Sequence, residues 1–203
     1  MAVDAYMYFQ QYQGANQGYL SSESQVSLTQ GPNDLTDIIG AFTSAVNAVK
    51  DQYRSGLFEI EDYSFDIEQI LNIGSQSSGA GAGKVTFNPF SITRKIDCAS
   101  PTFFQMACSG TPFKTVGLGL RKSAGGDATG VMYLAFTFKL VAVKTVSWAH
   151  DDEAPKETVT FEYGGLIIQY ALQQPNGKLM PINPGGWNRV KNVSDVILTN
   201  AIQ

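Results

Sequence analysis

Apolar residues along this chain recur mainly at every second position, the period of a strand, with one long exception. A first strand is predicted over residues 5–12, rich in Tyr, Phe and Met, followed by a polar loop over 13–27. Between residues 33 and 54 the spacing changes to threes and fours. Leu35, Ile38, Ile39, Phe42, Val46, Val49 and Tyr53 then share one helical face. Asn33 or Asp34 is placed to cap that helix and Gly56 to end it, while Gly40 weakens it by about 1 kcal/mol relative to Ala. From Phe58 the period returns to two. Phe58 and Ile60 hold one parity and Tyr63, Phe65 and Ile67 the other, so a bulge is expected at Glu61-Asp62.

Residues 85–96 read as a strand broken by Asn88-Pro89, which implies an edge or a bulge because proline cannot donate to a ladder. Ser100-Pro101 predicts a helix start, with Ser100 as the hydroxyl cap, and the helix over 102–108 closes at Gly110. A strand over 113–121 and a Gly-rich turn over 123–130 lead into the longest run, 131–148. There Met132, Leu134, Phe136, Phe138, Leu140 and Ala142 are expected on one apolar face, with Tyr133, Thr137 and Lys139 on a mixed one. At about 3.3 Å per residue, a strand of that length must bend to fit one domain. Its partner over 157–172 changes parity at Gly164-Gly165, between Val159, Phe161 and Tyr163 and the set Leu166, Ile168, Tyr170 and Leu172. Pro175-Asn176-Gly177 is a turn. The sum is a mainly β fold, a barrel or two-sheet sandwich with one short α-helix and an additional amphipathic helix inserted early.

Composition narrows the function classes. The 203 residues suit one domain, since β-barrels and sandwiches of about 200–250 residues fold as single units. Charged residues make up only 16%, against about 25% in ordinary domains, so Gln, Ser, Thr, Asn and Gly cover the surface, which favours packing against other protein. A net charge of −4, with no basic run longer than two residues, excludes a nucleic-acid binder. The pairs Arg94-Lys95 and Arg121-Lys122 read as solvated strand ends. No run approaches the ~20 apolar residues of a membrane helix, and the first residues lack the pattern of a secretory signal.

Chemistry has little to stand on. Cys98 and Cys108 are expected to be buried, free, structural thiols, without companions for a metal site. GAGAGK, residues 79–84, looks like a phosphate loop, but Ser78 and Val85 stand where that motif requires Gly and Ser or Thr. Gly117-Leu118-Gly119 lacks the third glycine of a dinucleotide fingerprint. His150 is the single histidine, followed by Asp151, Asp152 and Glu153 in what reads as a solvated turn. Asp66 and Glu68 share a strand face with nothing converging on them, and Asn192-Val193-Ser194 is an idle glycosylation sequon. No catalytic residue, metal or cofactor is expected.

Three stretches carry a resemblance. GSQSSGAGAGKVTFNPFSITRKIDCASPTFFQMACSG, residues 74–110, is similar to the Gly-rich loop, G-K-V strand and short M-A-C-S helix of the Hcp family, the hemolysin-coregulated inner-tube proteins of type VI secretion systems. KTVGLGLRKSAGG, residues 114–126, resembles the family's strand ending in R-K-A-G-G. Gly186-Trp187-Asn188 looks like its G-W-N/D close, and Met1-Ala2-Val3-Asp4 its start.

The resemblance covers residues 1–12 and about 57–193. It implies a single domain over 1–203, built as an Hcp-like, tail-tube-like two-sheet barrel. Six copies would close into a ring, and rings would stack into a tube, with a contractile sheath, a spike protein and small effectors as partners. Assembly would be cytoplasmic, with ejection by the type VI apparatus without a signal peptide. The alternative is a ring that mainly carries effectors and does not stack. The loop Gly74, Ser75, Gln76, Ser77, Ser78, Gly79, Ala80, Gly81, Ala82 and Gly83 corresponds to the family's extended loop, implied to reach the adjoining subunit or ring. The departure is a helical insertion at about 25–56, whose apolar stripe is expected on the outside of the barrel or on a neighbour.

Overall fold

A computed structural model describes residues 3–12, 18–24, 36–49, 53–72, 81–122, 131–150, 154–174 and 179–195. The elements run β1 (Val3–Gln11), α1 (Thr36–Ala48), β2 (Phe58–Ile60), β3 (Asp62–Ser64), β4 (Ile67–Asn72), β5 (Gly81–Phe87) and β6 (Phe90–Lys95). They continue through α2 (Ser100–Ser109), β7 (Phe113–Lys122), β8 (Val131–His150), β9 (Pro155–Tyr170), β10 (Asn183–Asn188) and β11 (Val193–Ser194).

Nine strands form one antiparallel sheet in the order β11-β10-β9-β8-β7-β1-β2, with β6 joined to β9 and β3 to β6. The sheet is not a closed ladder. Its two margins are tied by the chain itself. β2 pairs with β1 and, past Glu61, β3 pairs with β6. The expected parity change at Glu61-Asp62 is therefore a crossover, where one strand leaves one neighbour for another. The Glu61 amide marks the step by donating to the Thr93 carbonyl at 2.9 Å. β4 and β5 form a separate two-stranded sheet, and Pro89 lies between β5 and β6, where the chain passes from this hairpin into the main wall.

The main core lies on one face of the sheet and is dominated by phenylalanine. The Phe9 ring lies 5.0–5.7 Å from Phe58, Phe103, Phe113 and Phe161. Phe90 stacks on Phe138 at 4.2 Å and on Phe161 at 4.7 Å. Rings at these separations add edge-face and stacking attraction to the burial of large apolar areas. α2 plugs this core with Phe103 and Met106, and Gly110 closes it in the left-handed conformation at φ 69°. Ser100 does not cap it. Ala99 holds that position without a side-chain bond, and the Asp97 carboxylate accepts from the Ala99 amide at 2.8 Å.

A second, smaller core lies on the opposite face of the same sheet. α1 lays Phe42 and Ala45 against Tyr8, Leu57, Met132 and Ala135. The sheet admits the helix because β7 has no side chain at Gly117 and Gly119. A Cβ there would come within 2.1 Å of Tyr8 and 2.6 Å of Met132. The early amphipathic helix thus packs on the outside of the wall, as expected. It is shorter than its pattern, however, ending at Ala48, and Tyr53 is 70% exposed. Gly56 is no C-cap but a point of close approach, where a Cβ would meet the Ala45 carbonyl. Leu35 and the proposed caps Asn33 and Asp34 lie outside the described residues, as do the side chains of Ile38 and Ile39.

The long β8 corrects another expectation. Its apolar residues do not keep one face. Phe138 belongs to the main core, but Val141 and Val143 follow it there in place of Leu140 and Ala142. Leu140, at φ 50°, marks the change of face there, and a register shift between Leu120 and Arg121 sets Met132, which packs in the second core, apart from Phe138. On β9 the parity changes at the same level, since both Tyr163 and Leu166 face the core with Gly164-Gly165 between them, as the sequence predicts. Two adjacent strands therefore turn over together and keep their pairing.

Candidate functional site

Among the described residues, the cluster with the richest polar geometry was not anticipated. β6 presents Phe90, Ile92 and Arg94 to the core, and β9 presents Glu157, Val159 and Phe161. Arg94 and Glu157 are register partners. Their side chains are 2% and 0% exposed, and Arg94 Nε donates to Glu157 Oε1 at 2.8 Å. The guanidinium also pairs with Asp97 and lies 5.0 Å from the Phe58 ring and 5.4 Å from the Phe103 ring. Ser100 donates to Glu157 Oε1 at 2.9 Å, and Trp148 Nε1 to Oε2 at 3.2 Å. Charges buried this deeply survive only when paired and hydrogen-bonded, as these are. Arg94 is thus no solvated strand end. It rivets α2, through Asp97 and Ser100, to the wall. Arg121 is likewise half-buried, bonded to Asp4 at 3.2 Å and to the Tyr6 hydroxyl at 2.8 Å.

Two grooves flank the crossover at Glu61. The first, about 580 Å³, lies between β2 and β6 and includes Ser22, Glu23, Glu59, Arg94 and Asp97. The second, about 430 Å³, lies between β1 and β3 and includes Asp4, Glu59, Glu61 and Asp62. Elsewhere, Arg189 spans from β10 to β9, donating to the Tyr163 carbonyl at 2.6 Å and lying 5.0 Å from the Tyr163 ring. Burial, opposed by the Arg189 charge, pushes the Tyr163 phenol up to about 12.

The assembly loop predicted from sequence joins the arms of the β4–β5 hairpin. Gly81, Ala82 and Gly83 open β5, with Leu71 facing Ala82 and Asn72 facing Gly81 across the ladder. Residues 74–80 lie outside the described residues. At the hairpin base, Asp66 accepts from Asn88 Nδ2 at 2.6 Å and its carbonyl from the Asn88 amide at 3.1 Å. This gives one of the two strand carboxylates a fastening role. His150 ends β8 exposed, and 151–153 lie outside the described residues. Cys98 and Cys108 are free but not buried, being half-buried and exposed respectively. Among the described residues no three His, Cys, Asp or Glu side chains gather as a metal site. No helix among them is long and apolar enough to cross a membrane.

A family model described as "Type VI secretion system effector, Hcp" matches residues 47–170, from the end of α1 to the end of β9. A solved structure described as a type six secretion system protein superposes with a TM-score of 0.68 at 21% identity, over 96% of this chain and 100% of its own. Hcp1 from Salmonella typhimurium gives 0.58 at 21% identity, over 96% and 100%. Hcp3 from Pseudomonas aeruginosa gives 0.54 at 16%, over 92% and 98%. At such identities structural likeness establishes the fold alone. No curated protein matches the sequence significantly. The family match spans more than half of the chain and contains the hairpin, the Arg94–Glu157 pair, α2 and the long β8–β9 ribbon, and on it the chain belongs to the Hcp family of type VI secretion proteins.

Proposed function

We propose that this chain is a structural subunit whose copies close into six-membered rings, and that the rings stack into the inner tube expelled by the type VI apparatus. The observation that carries this reading is the family match together with the β4–β5 hairpin, a sheet separate from the wall whose strand β5 opens with Gly81, Ala82 and Gly83 of the candidate loop. A stretch of Gly, Ser and Ala with one Gln lets backbone approach backbone closely. That suits a joint between copies better than a pocket. Partners in this reading are sister copies, sheath, spike and small effectors, and the role is mechanical, not catalytic.

The test is negative-stain imaging of purified protein over a range of concentrations, with and without residues 75–80. Rings that stack in the full chain and remain single in the deletion support the assignment. A full chain that forms no rings at any concentration removes it. The description of the family as an effector favours a second reading, a ring that carries cargo without stacking. Rings that never stack at high concentration distinguish it.

A further inference from the structure

Among the described residues Lys139 is a charge without a counter-charge. It sits on β8 opposite Thr115, and its Nζ donates to Thr115 Oγ1 at 2.9 Å. The side chain is half-buried, and among the described residues no carboxylate reaches it. Burial, and then the like charge of Lys114, hold its ammonium below the ordinary lysine range. Lysines withdrawn from water in this way are ordinarily paired.

The complementary feature is the groove between β1 and β3. Asp4, Glu59, Glu61 and Asp62 line it and no Lys or Arg does. Asp4 is answered from outside by Arg121 and Glu61 by Lys156. Glu59 accepts from the Ser24 hydroxyl and Asp62 from the Tyr63 amide, and neither has a cation partner among the described residues. The two patches cannot meet within one copy. Thr115 pairs with Gln10 and Arg121 with Asp4, six positions apart along β1, which is roughly 20 Å of strand.

We propose that Lys139, with Lys114 beside it, docks on the Glu59–Asp62 groove of a second copy of this chain. The contact is head-to-tail, using two different surfaces of one subunit, so it repeats from copy to copy and either closes or extends. It rests on the self-assembly reading above and assigns side chains to it. A second copy is the favoured partner because charge is sparse on this chain, and each patch meets its opposite on an identical molecule.

Sedimentation velocity on four samples tests this: the unmodified chain, Lys139→Glu, the pair Glu59→Lys with Asp62→Lys, and an equimolar mixture of the two variants. Lys139→Glu is expected to raise the concentration for half-assembly about tenfold or more, and the acidic-groove variant to do the same. The mixture is expected to assemble better than either variant alone, since the native lysine meets the native groove and the two reversed patches are complementary to each other. If Lys139→Glu fails to fold by circular dichroism, Lys139→Gln, which keeps the bond to Thr115, is expected to weaken assembly several-fold. An unmodified chain that assembles while both Lys139 variants assemble equally well overturns this inference alone. A chain that stays single overturns it together with the ring. Lys139→Glu that assembles normally but loses binding to a poly-glutamate peptide reassigns the patch to another acidic partner and overturns the self-contact.

Discussion

Replacing Arg94 with Met removes the cation from a carboxylate that is fully enclosed. Glu157 would keep two neutral donors, the Ser100 hydroxyl at 2.9 Å and Trp148 Nε1 at 3.2 Å, neither able to neutralise it. Stripping one member from a buried ion pair destabilises by about 3–5 kcal/mol, mainly through the charge left behind. In a chain of this size each kcal/mol moves the midpoint by about 2–4 °C, so a fall of roughly 6–20 °C is expected. Glu157→Gln leaves Arg94 its bond to Asp97 and should lose less, about 1–3 kcal/mol. The decisive variant is Arg94→Met combined with Glu157→Leu. With both charges gone, the loss should fall within about 2 kcal/mol of the unmodified protein, far short of the sum of the singles. The assay is urea unfolding followed by tryptophan fluorescence, which Trp148 reports locally, at one fixed protein concentration because assembly shifts apparent stability. A loss below about 1 kcal/mol for Arg94→Met, or simple additivity in the double variant, refutes the reasoning.

Phe42→Ala should cost about 3 kcal/mol by emptying the second core while the main core stays intact, and equal loss of near-ultraviolet signal from both cores would contradict that separation. Gly56→Ala should destabilise by about 1–3 kcal/mol, because the new methyl meets a backbone carbonyl that cannot swing aside, and an unchanged urea midpoint would count against the packing of α1. Tyr8 and Tyr163 are held protonated beyond the usual phenol range by burial, Tyr163 up to about 12. The unfolded chain then loses these protons first, so their share of stability is whole below pH about 10, and that of Tyr163 drains between about 10 and 12. Tyr163→Phe should make that alkaline decline shallower, as read from urea midpoints, and an identical decline would refute it. A thiol reagent should label exposed Cys108 before Cys98, whose thiol is raised by burial and then by the charge of Asp97, and equal rates in Cys98→Ser and Cys108→Ser would contradict the placement.

Alternation alone made most of the wall legible. Phe58 against Tyr63, and Tyr163 against Leu166, were readable as changes of face because strand parity is strict. What escaped was decided by tertiary partners. Arg94 shares parity with Phe90 and Ile92, and Glu157 with Val159 and Phe161, so the pattern did place both charges inward. A residue-type reading sent Arg94 outward because a lone buried arginine is prohibitive, and its carboxylate stood 63 positions away. The turnover at Leu140 left no glycine or proline as a marker, since a leucine rarely adopts positive φ. The parity of the residues after it was therefore misread. The length of α1 was overread because Val49 and Tyr53 continue a helical spacing by coincidence after the helix has ended. In the candidate assembly loop, composition was the whole of the signal. Lys139 was readable as a mixed-face residue, but nothing in the pattern marked its partial burial beside Thr115.

The stitch at Glu61 has a mechanical corollary. On either side of it the wall is held by three-residue strands, β2 and β3, whereas the opposite side is a long ribbon of β8 and β9. Under load across the strands, such a wall yields along its shortest ladders first. The seam then parts like a garment at one fastening, while the chain itself keeps the two flaps attached and in position to re-engage. A protease nick beside residue 61 would remove that tether and turn a recoverable opening into a permanent one.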